Sequence, residues 1–380
     1  MATTDGLINS GHERESFGGG RRQEAGSDGR RRLACIDGVG STWSNVHGHG
    51  HPAIEAVIHA QLQSTVLDEP GDLHRPATEL ARRLAKVAPA GLERVLYANS
   101  GSAAVHRAID LARRTCRRRG DERRTHVIRS PAADDRDLQE RLDADGDRVA
   151  ALVIEPLVRA SAGMRLQTQG HLRRARELCE PDGVLLICDE TSTAFGRTGA
   201  MFACEHERVV PDLLCVAGGL TSHGLPLAAT LASAQIHTRT DAGIGASRAP
   251  DPVACAAAIA TLKTFEREHT LALLAPRIEL LAALLERRVA VLPGVGEVRQ
   301  VGMMVGIELL SPDHGLVQRA VLAARGRGAA IGSCGDVIVL TPALAITDDD
   351  LRRLVAITAS SIAEAYVGRL PGARVTLRRE

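Results

Sequence analysis

Lysine is almost missing from this 380-residue chain: Lys86 and Lys263 are the only two, and arginine supplies the rest of the basic charge. Chemistry that needs a side-chain amine must therefore use one of two positions. Aromatic residues make up 2% of the chain, and none falls between Tyr97 and Phe195. No Phe, Tyr or Trp ring from that interval can lie against a flat ligand. Neither sign of charge dominates; 47 Lys and Arg face 46 Asp and Glu, for a net +1. That balance gives no electrostatic case for nucleic acid or an anionic membrane as a partner. No apolar run approaches the ~20 residues that a membrane-crossing helix needs. The eight cysteines lack C-x-x-C pairing and zinc-type spacing, which predicts reduced, buried thiols in a cytoplasmic protein.

What is present is an ordinary core-forming composition, 44% apolar and 24% charged. It suits one large α/β domain with a smaller companion. Residues 1–34 are rich in Gly, Arg, Ser and Glu without periodicity and read as a disordered or loosely packed arm. Residues 35–290 would form the large domain and 291–380 the small one. Helices are predicted at Ala53–Gln63, 76–88, 169–181, Asp251–Glu268 and Leu271–Val291, and strands at Val95–Ala98, Val184–Cys188 and Leu213–Val216. Helix alternating with short buried strand is the rhythm of a parallel sheet covered on both faces. The Asp- and Arg-rich stretch Asp121–Gly146 reads as a surface connection.

The chain is organised around Val184–Leu231. One apolar strand there ends in Asp189-Glu190, a Gly-punctuated loop follows (Phe195-Gly196-Arg197-Thr198-Gly199), and a second strand ends in Ala217-Gly218-Gly219. In open α/β sheets ligands gather just beyond the carboxyl ends of strands. Upstream, Asn99-Ser100-Gly101-Ser102 links a strand to a helix amino terminus, a setting in which free backbone N–H groups hold a phosphate. The histidines of Ser41-Thr42-Trp43-Ser44-Asn45-Val46-His47-Gly48-His49-Gly50-His51-Pro52 invite a metal. A Gly-rich turn opening a helix at Pro52 accounts for them more cheaply.

These motifs, in this order, resemble the class III, fold-type I aminotransferases that use pyridoxal 5′-phosphate. Asp189, Glu190, Thr193, Phe195–Gly199, Pro211, Asp212, Leu220 and Thr221 match the family pattern, as do Glu155-Pro156, Gly163-Met164-Arg165 and Pro252 with Ala254-Cys255-Ala256. Within the family the likeness is greatest to the adenosylmethionine-8-amino-7-oxononanoate (DAPA) aminotransferases of biotin synthesis. The resemblance implies a mostly parallel sheet with helices on both faces plus a smaller α+β carboxyl-terminal domain. It implies pyridoxal phosphate held by Gly101, Ser102, Asp189 and Ser247, substrate contacts from Trp43 and Arg197, and a dimer.

The departures from the pattern are as informative. Where the family has the lysine that binds the coenzyme as a Schiff base and carries protons, this chain has Gly218. Where an arginine receives the substrate carboxylate there is Gly332, and Thr42 replaces the first of two adjacent tryptophans. The segment between Ser102 and Glu155 is short for the family and lacks the ring that stacks on the coenzyme. Two readings stay open. The chain is a pseudoenzyme that keeps fold and dimer surface, as a homodimer or as partner to an intact paralogue, with the coenzyme non-covalent or lost. Alternatively it is an active aminotransferase of atypical mechanism, for which His223 is the one nearby proton carrier.

Overall fold

The computed structural model describes residues 21–25, 32–41, 43–64, 74–129, 135–222, 224–236, 250–310, 315–367 and 376–379. Strands β1 (Arg21–Ala25) and β2 (Arg32–Asp37) pair antiparallel. Helices α1 (Pro52–Gln63) and α2 (Arg75–Val87) each carry a proline in the first turn, where no backbone N–H is needed. β3 (Arg94–Ala98), α3 (Gly101–Arg118), β4 (His126–Arg129), α4 (Asp135–Asp145) and β5 (Val149–Ile154) follow. A short ribbon, β6 (Val158–Arg159) with β7 (Arg165–Leu166), precedes α5 (His171–Cys179), β8 (Leu185–Glu190), β9 (Leu213–Val216) and β10 (Ala228–Ala232).

These strands form one six-stranded sheet in the order β3-β10-β9-β8-β5-β4, in which only β10 runs against the rest. Every residue of β5, β9 and β10 is buried. That is why β5 and β9 read as unbroken apolar runs, helices covering both faces; the polar Thr230 of β10 spends its hydroxyl on the Ala104 carbonyl at 2.9 Å. On one face α3 packs Val105, Ala108, Ile109 and Ala112 against the sheet; the other belongs to the main core with α2 and α5. Five parallel strands deliver their carboxyl ends to the same edge.

The second half begins with α6 (Pro252–Arg267) and α7 (Ala275–Arg288) and continues through β11 (Val295–Val301) and β12 (Met304–Leu309). Then come α8 (Leu316–Gly326), β13 (Ala329–Ala330), β14 (Gly332–Cys334), β15 (Val337–Leu340), α9 (Asp348–Ala365) and β16 (Thr376–Arg379). A five-stranded sheet, β14-β15-β12-β11-β16, is antiparallel except for its β11–β16 pair. β13 leaves that sheet and pairs in parallel with β2.

Two stretches differ from the sequence reading. Asp121–Gly146 contains β4, an edge strand of the main sheet, and helix α4. Only Val127 and Ile128 are apolar in β4, because an edge strand beside charged helices buries little; periodicity had nothing to register. The stretch read as an arm to residue 34 contains β1 and the first half of β2; residues 1–20 and 26–31 lie outside the described set. β2 and the turn after it join the carboxyl-terminal half. Gly38 N–H donates to Ala330 O at 2.8 Å and Thr341 N–H to Gly38 O at 2.7 Å.

Candidate active site

The site lies where β5, β8 and β9 end beside the start of α3. Ser100 caps α3, accepting the Ala103 N–H at 3.2 Å. Capping satisfies one of the first-turn donors and leaves the N–H groups of Gly101 and Ser102 without acceptors among the described residues. Gly101 is where three segments converge. A Cβ there would stand 2.9 Å from Thr191 Cβ and 3.4 Å from Ala217 Cβ. Only glycine lets the helix start approach the ends of β8 and β9 so closely.

β8 ends in two acids with opposite fates. Alternation along the strand sends Glu190 into the core, fully buried, where it accepts the N–H groups of Ala203 at 2.5 Å and Cys204 at 2.8 Å. Burial pushes its carboxyl up to about 7 despite those two bonds. Glu190 thus anchors the loop after Gly199. Asp189 faces the cleft. Its Oδ1 accepts the Thr191 N–H at 3.2 Å and hydroxyl at 2.7 Å, while Oδ2 has no partner among the described residues. Glu155, one residue past β5, accepts the Ala160 N–H at 3.2 Å through Oε2. Burial first, and then the Asp189 charge, raises Glu155 to about 6.

At the end of β9 the backbone turns sharply. Ala217 adopts φ −152°, ψ −119°, and Gly218 has φ +33°. A Cβ on Gly218 would lie 2.9 Å from the Thr191 carbonyl oxygen and 3.6 Å from that of Trp43. Position 218 is therefore a glycine in a conformation that disfavours side chains, with a backbone oxygen where a side chain would begin. Lys86 and Lys263 are exposed on α2 and α6.

Trp43 is half-buried, with φ +69°, and packs against the cluster of Leu157, Met164 and Val339. Its turn is tied to the loop after β9 through Ser222, whose Oγ accepts the N–H groups of Val46 at 3.2 Å and His47 at 3.0 Å. The expectation that Arg197 touches substrate needs correction. Arg197 is fully buried. Its Nη1 donates to the carbonyls of Thr341 (3.0 Å) and Pro342 (2.6 Å), and its Nη2 to those of Trp43 (3.0 Å) and Asn45 (2.9 Å). It clamps the tryptophan turn to the carboxyl-terminal half, with no terminal nitrogen left for a ligand. An arginine in a Gly-punctuated loop reads the same in sequence whether it points outward or inward. A Cβ on Gly332 would stand 3.0 Å from Val39 Cγ1.

The three histidines go to separate partners. His47 Nε2 meets Thr261 O at 3.1 Å, His49 meets Asp37 at 2.7 Å and His51 meets Glu268 at 3.1 Å. Among the described residues no three His, Cys, Asp or Glu side chains group as metal ligands. The seven cysteines other than half-buried Cys334 are buried, and none is in a disulfide. His223, Ser247 and Thr42 lie outside the described residues.

The site is thus a sheet of five parallel strands with one reversed, an aspartate at a central strand end and a glycine-opened helix beside it. The sequence pattern of the class-III aminotransferases matches residues 24–133 and 129–362, and this chain belongs to that family. Among characterised relatives, the DAPA aminotransferase of Nitratidesulfovibrio vulgaris is 40% identical over 403 aligned residues, covering 87% of this chain and 73% of that protein. The DAPA aminotransferase of Geobacter sulfurreducens is 33% identical, covering 87% of each. The acetylornithine aminotransferase of Methanopyrus kandleri is 34% identical over 86% of this chain and 89% of that protein. The first alignment spans more positions than this whole chain contains, so that relative carries segments this one lacks. Among solved structures, the DAPA aminotransferase of Methanocaldococcus jannaschii superposes with a TM-score of 0.83 at 26% identity, covering 92% of both chains. The fold is thus that of the pyridoxal-phosphate aminotransferases.

The residues present suit the two ends of pyridoxal phosphate. The free N–H groups of Gly101 and Ser102, at the positive end of the α3 dipole, suit a phosphate; the open Oδ2 of Asp189 suits a protonated ring nitrogen. They do not suit covalent attachment, since neither lysine lies at a strand end.

Proposed function

We propose that this chain is a DAPA-aminotransferase-type protein of the biotin-synthesis lineage that takes its coenzyme non-covalently and does not perform lysine-dependent transamination. It acts as a non-catalytic subunit, in a homodimer or paired with an intact paralogue. The observation that carries this reading is Gly218, with its positive φ and the Thr191 carbonyl against it. Bound coenzyme supplies an electron sink for amino-group transfer. This chain's residues account for binding and orientation only. Gly101 and Ser102 would hold the phosphate, with Ser247 of the family pattern adding a hydroxyl, and Asp189, steadied by Thr191, would keep the ring nitrogen protonated. Trp43 offers its half-exposed ring to substrate. Gly218 itself carries no proton, and loss of a general base typically costs about 10²–10⁴ in rate.

The test is borohydride treatment of the purified chain with pyridoxal phosphate, followed by peptide mapping, and an assay with adenosylmethionine and 8-amino-7-oxononanoate. We expect no trapped lysine and no diamine product, and a hetero-oligomer on native mass spectrometry with an intact DAPA aminotransferase. A stable adduct on Lys86 or Lys263, or product formed by the chain alone, overturns the proposal. The identity of 40% to a named DAPA aminotransferase favours the second reading, an active enzyme of atypical mechanism with His223 as proton carrier. The same assay decides between them.

A further inference from the structure

The short ribbon of β6 and β7 sets two like charges against each other. Val158 pairs with Leu166, and Arg159 pairs with Arg165. Alternation along each strand turns the first pair inward, onto the cluster of Leu157, Met164 and Val337, and the second pair outward together. The register cannot slip to separate the arginines, because a one-residue shift would turn Val158 outward and Arg159 into that cluster. The turn between the strands is pinned as well. The Cys334 thiol donates to Ser161 O at 3.3 Å, and a Cβ on Gly163 would stand 2.9 Å from Val337 Cγ2.

Neither guanidinium reaches an acceptor among the described residues. Glu155, the acid closest to them along the chain, gives Oε2 to the Ala160 N–H at 3.2 Å. It lies within electrostatic reach of Arg159, and of Arg129 at the end of β4, without forming an ion pair to either. Arg159 is half-buried, so water screens its charge less fully than it screens that of exposed Arg165. Fixed like charges facing each other across a ladder destabilise it unless something of opposite sign stands between them.

We propose that the outer face of this ribbon is an anion subsite, at which Arg159 and Arg165 together grip the oxyanion group, carboxylate or phosphate, of a small ligand. A guanidinium presents a planar fork of donors that matches such a group, and two forks on one face engage more than one of its oxygens. The bound anion also cancels the repulsion that the fixed register imposes. The subsite uses none of the residues assigned to the coenzyme, so it stands or falls apart from the reading above.

Isothermal titration at low salt with heptanoate, heptanamide and inorganic phosphate, on the natural chain, Arg165→Gln and Arg165→Glu, tests the assignment. Arg165 is exposed, which keeps both variants clear of the core. Heptanamide has the shape of heptanoate without its charge. Binding of heptanoate with heptanamide silent makes the group a carboxylate; binding of phosphate alone makes it a phosphate. Either anion is expected to bind about tenfold more weakly to Arg165→Gln. Arg165→Glu gives Arg159 a carboxylate from within the chain. It should abolish binding and, without added anion, raise the urea midpoint above that of the natural chain. Failure of both anions to bind overturns the proposal, as does an Arg165→Glu midpoint below the natural one. Phosphate binding undiminished in both variants belongs elsewhere, as at the start of α3, and overturns it too.

Discussion

The two sides of the cleft are built on opposite rules. On the tryptophan-turn side, polar groups are buried and engaged: Arg197 reaches four carbonyls, Ser222 takes two N–H groups and His47 caps the Thr261 carbonyl. On the coenzyme side, Asp189 Oδ2, Glu155 Oε1 and the first N–H groups of α3 stand open. Satisfied buried groups fix a shape; open ones wait for a ligand. The difference teaches where residues can change without loss of fold. Residues whose partners are all within the chain are held by stability, while a residue whose partner is a coenzyme can change and leave the scaffold standing.

The largest effect should follow from breaking the engaged side. Arg197→Ala strands four carbonyls and is expected to cost about 3–5 kcal/mol in urea unfolding, or to prevent soluble accumulation. Asp189→Asn is the matched control, expected to leave the urea midpoint nearly unchanged. If the two variants unfold alike, the contrast between the sides is wrong.

A smaller effect should appear on acidification. Burial above all, with the nearby His51, lowers His47 to about 4, while the Thr261 carbonyl and Glu268 oppose the shift. The unfolded chain then binds the proton more readily than the folded one. Stability from neutral His47 is complete above its ordinary value of 6.5 and falls as pH drops toward 4. The loss amounts to at most about 3 kcal/mol. Unfolding midpoints of the natural chain and of His47→Gln should converge over that window; parallel curves would remove His47 from the engaged set.

The smallest effect tests the vacancy itself. Gly218→Lys places a side chain at φ +33° against the Thr191 oxygen. We expect a cost of about 1–3 kcal/mol and little borohydride-trapped coenzyme. Efficient trapping would mean that the backbone at 218 still accommodates the lysine.

Much of the fold was legible because its signals are local. The all-apolar run of β9, the proline that opens α1 and the Ser100 turn before α3 each fall within a few residues of the element they specify. Edge strand β4 was illegible because it buries too little to need a pattern. Of the site, Asp189 and Gly101 were found by their strand-end and helix-start settings. Glu155 was recognised as part of a motif without a role. Arg197 was misassigned because the direction of its side chain depends on Thr341 and Asn45, both far from it in sequence.

By itself the sequence determined the family, the alternation of strands and helices, and the glycine at position 218, since each is written in residue identity or short-range spacing. Only the tertiary structure decided which polar groups are spent and which remain free. Hydrogen-bond satisfaction is settled between segments far apart along the chain, where the carbonyl of Trp43 finds Arg197 and the carbonyl of Thr191 closes on residue 218.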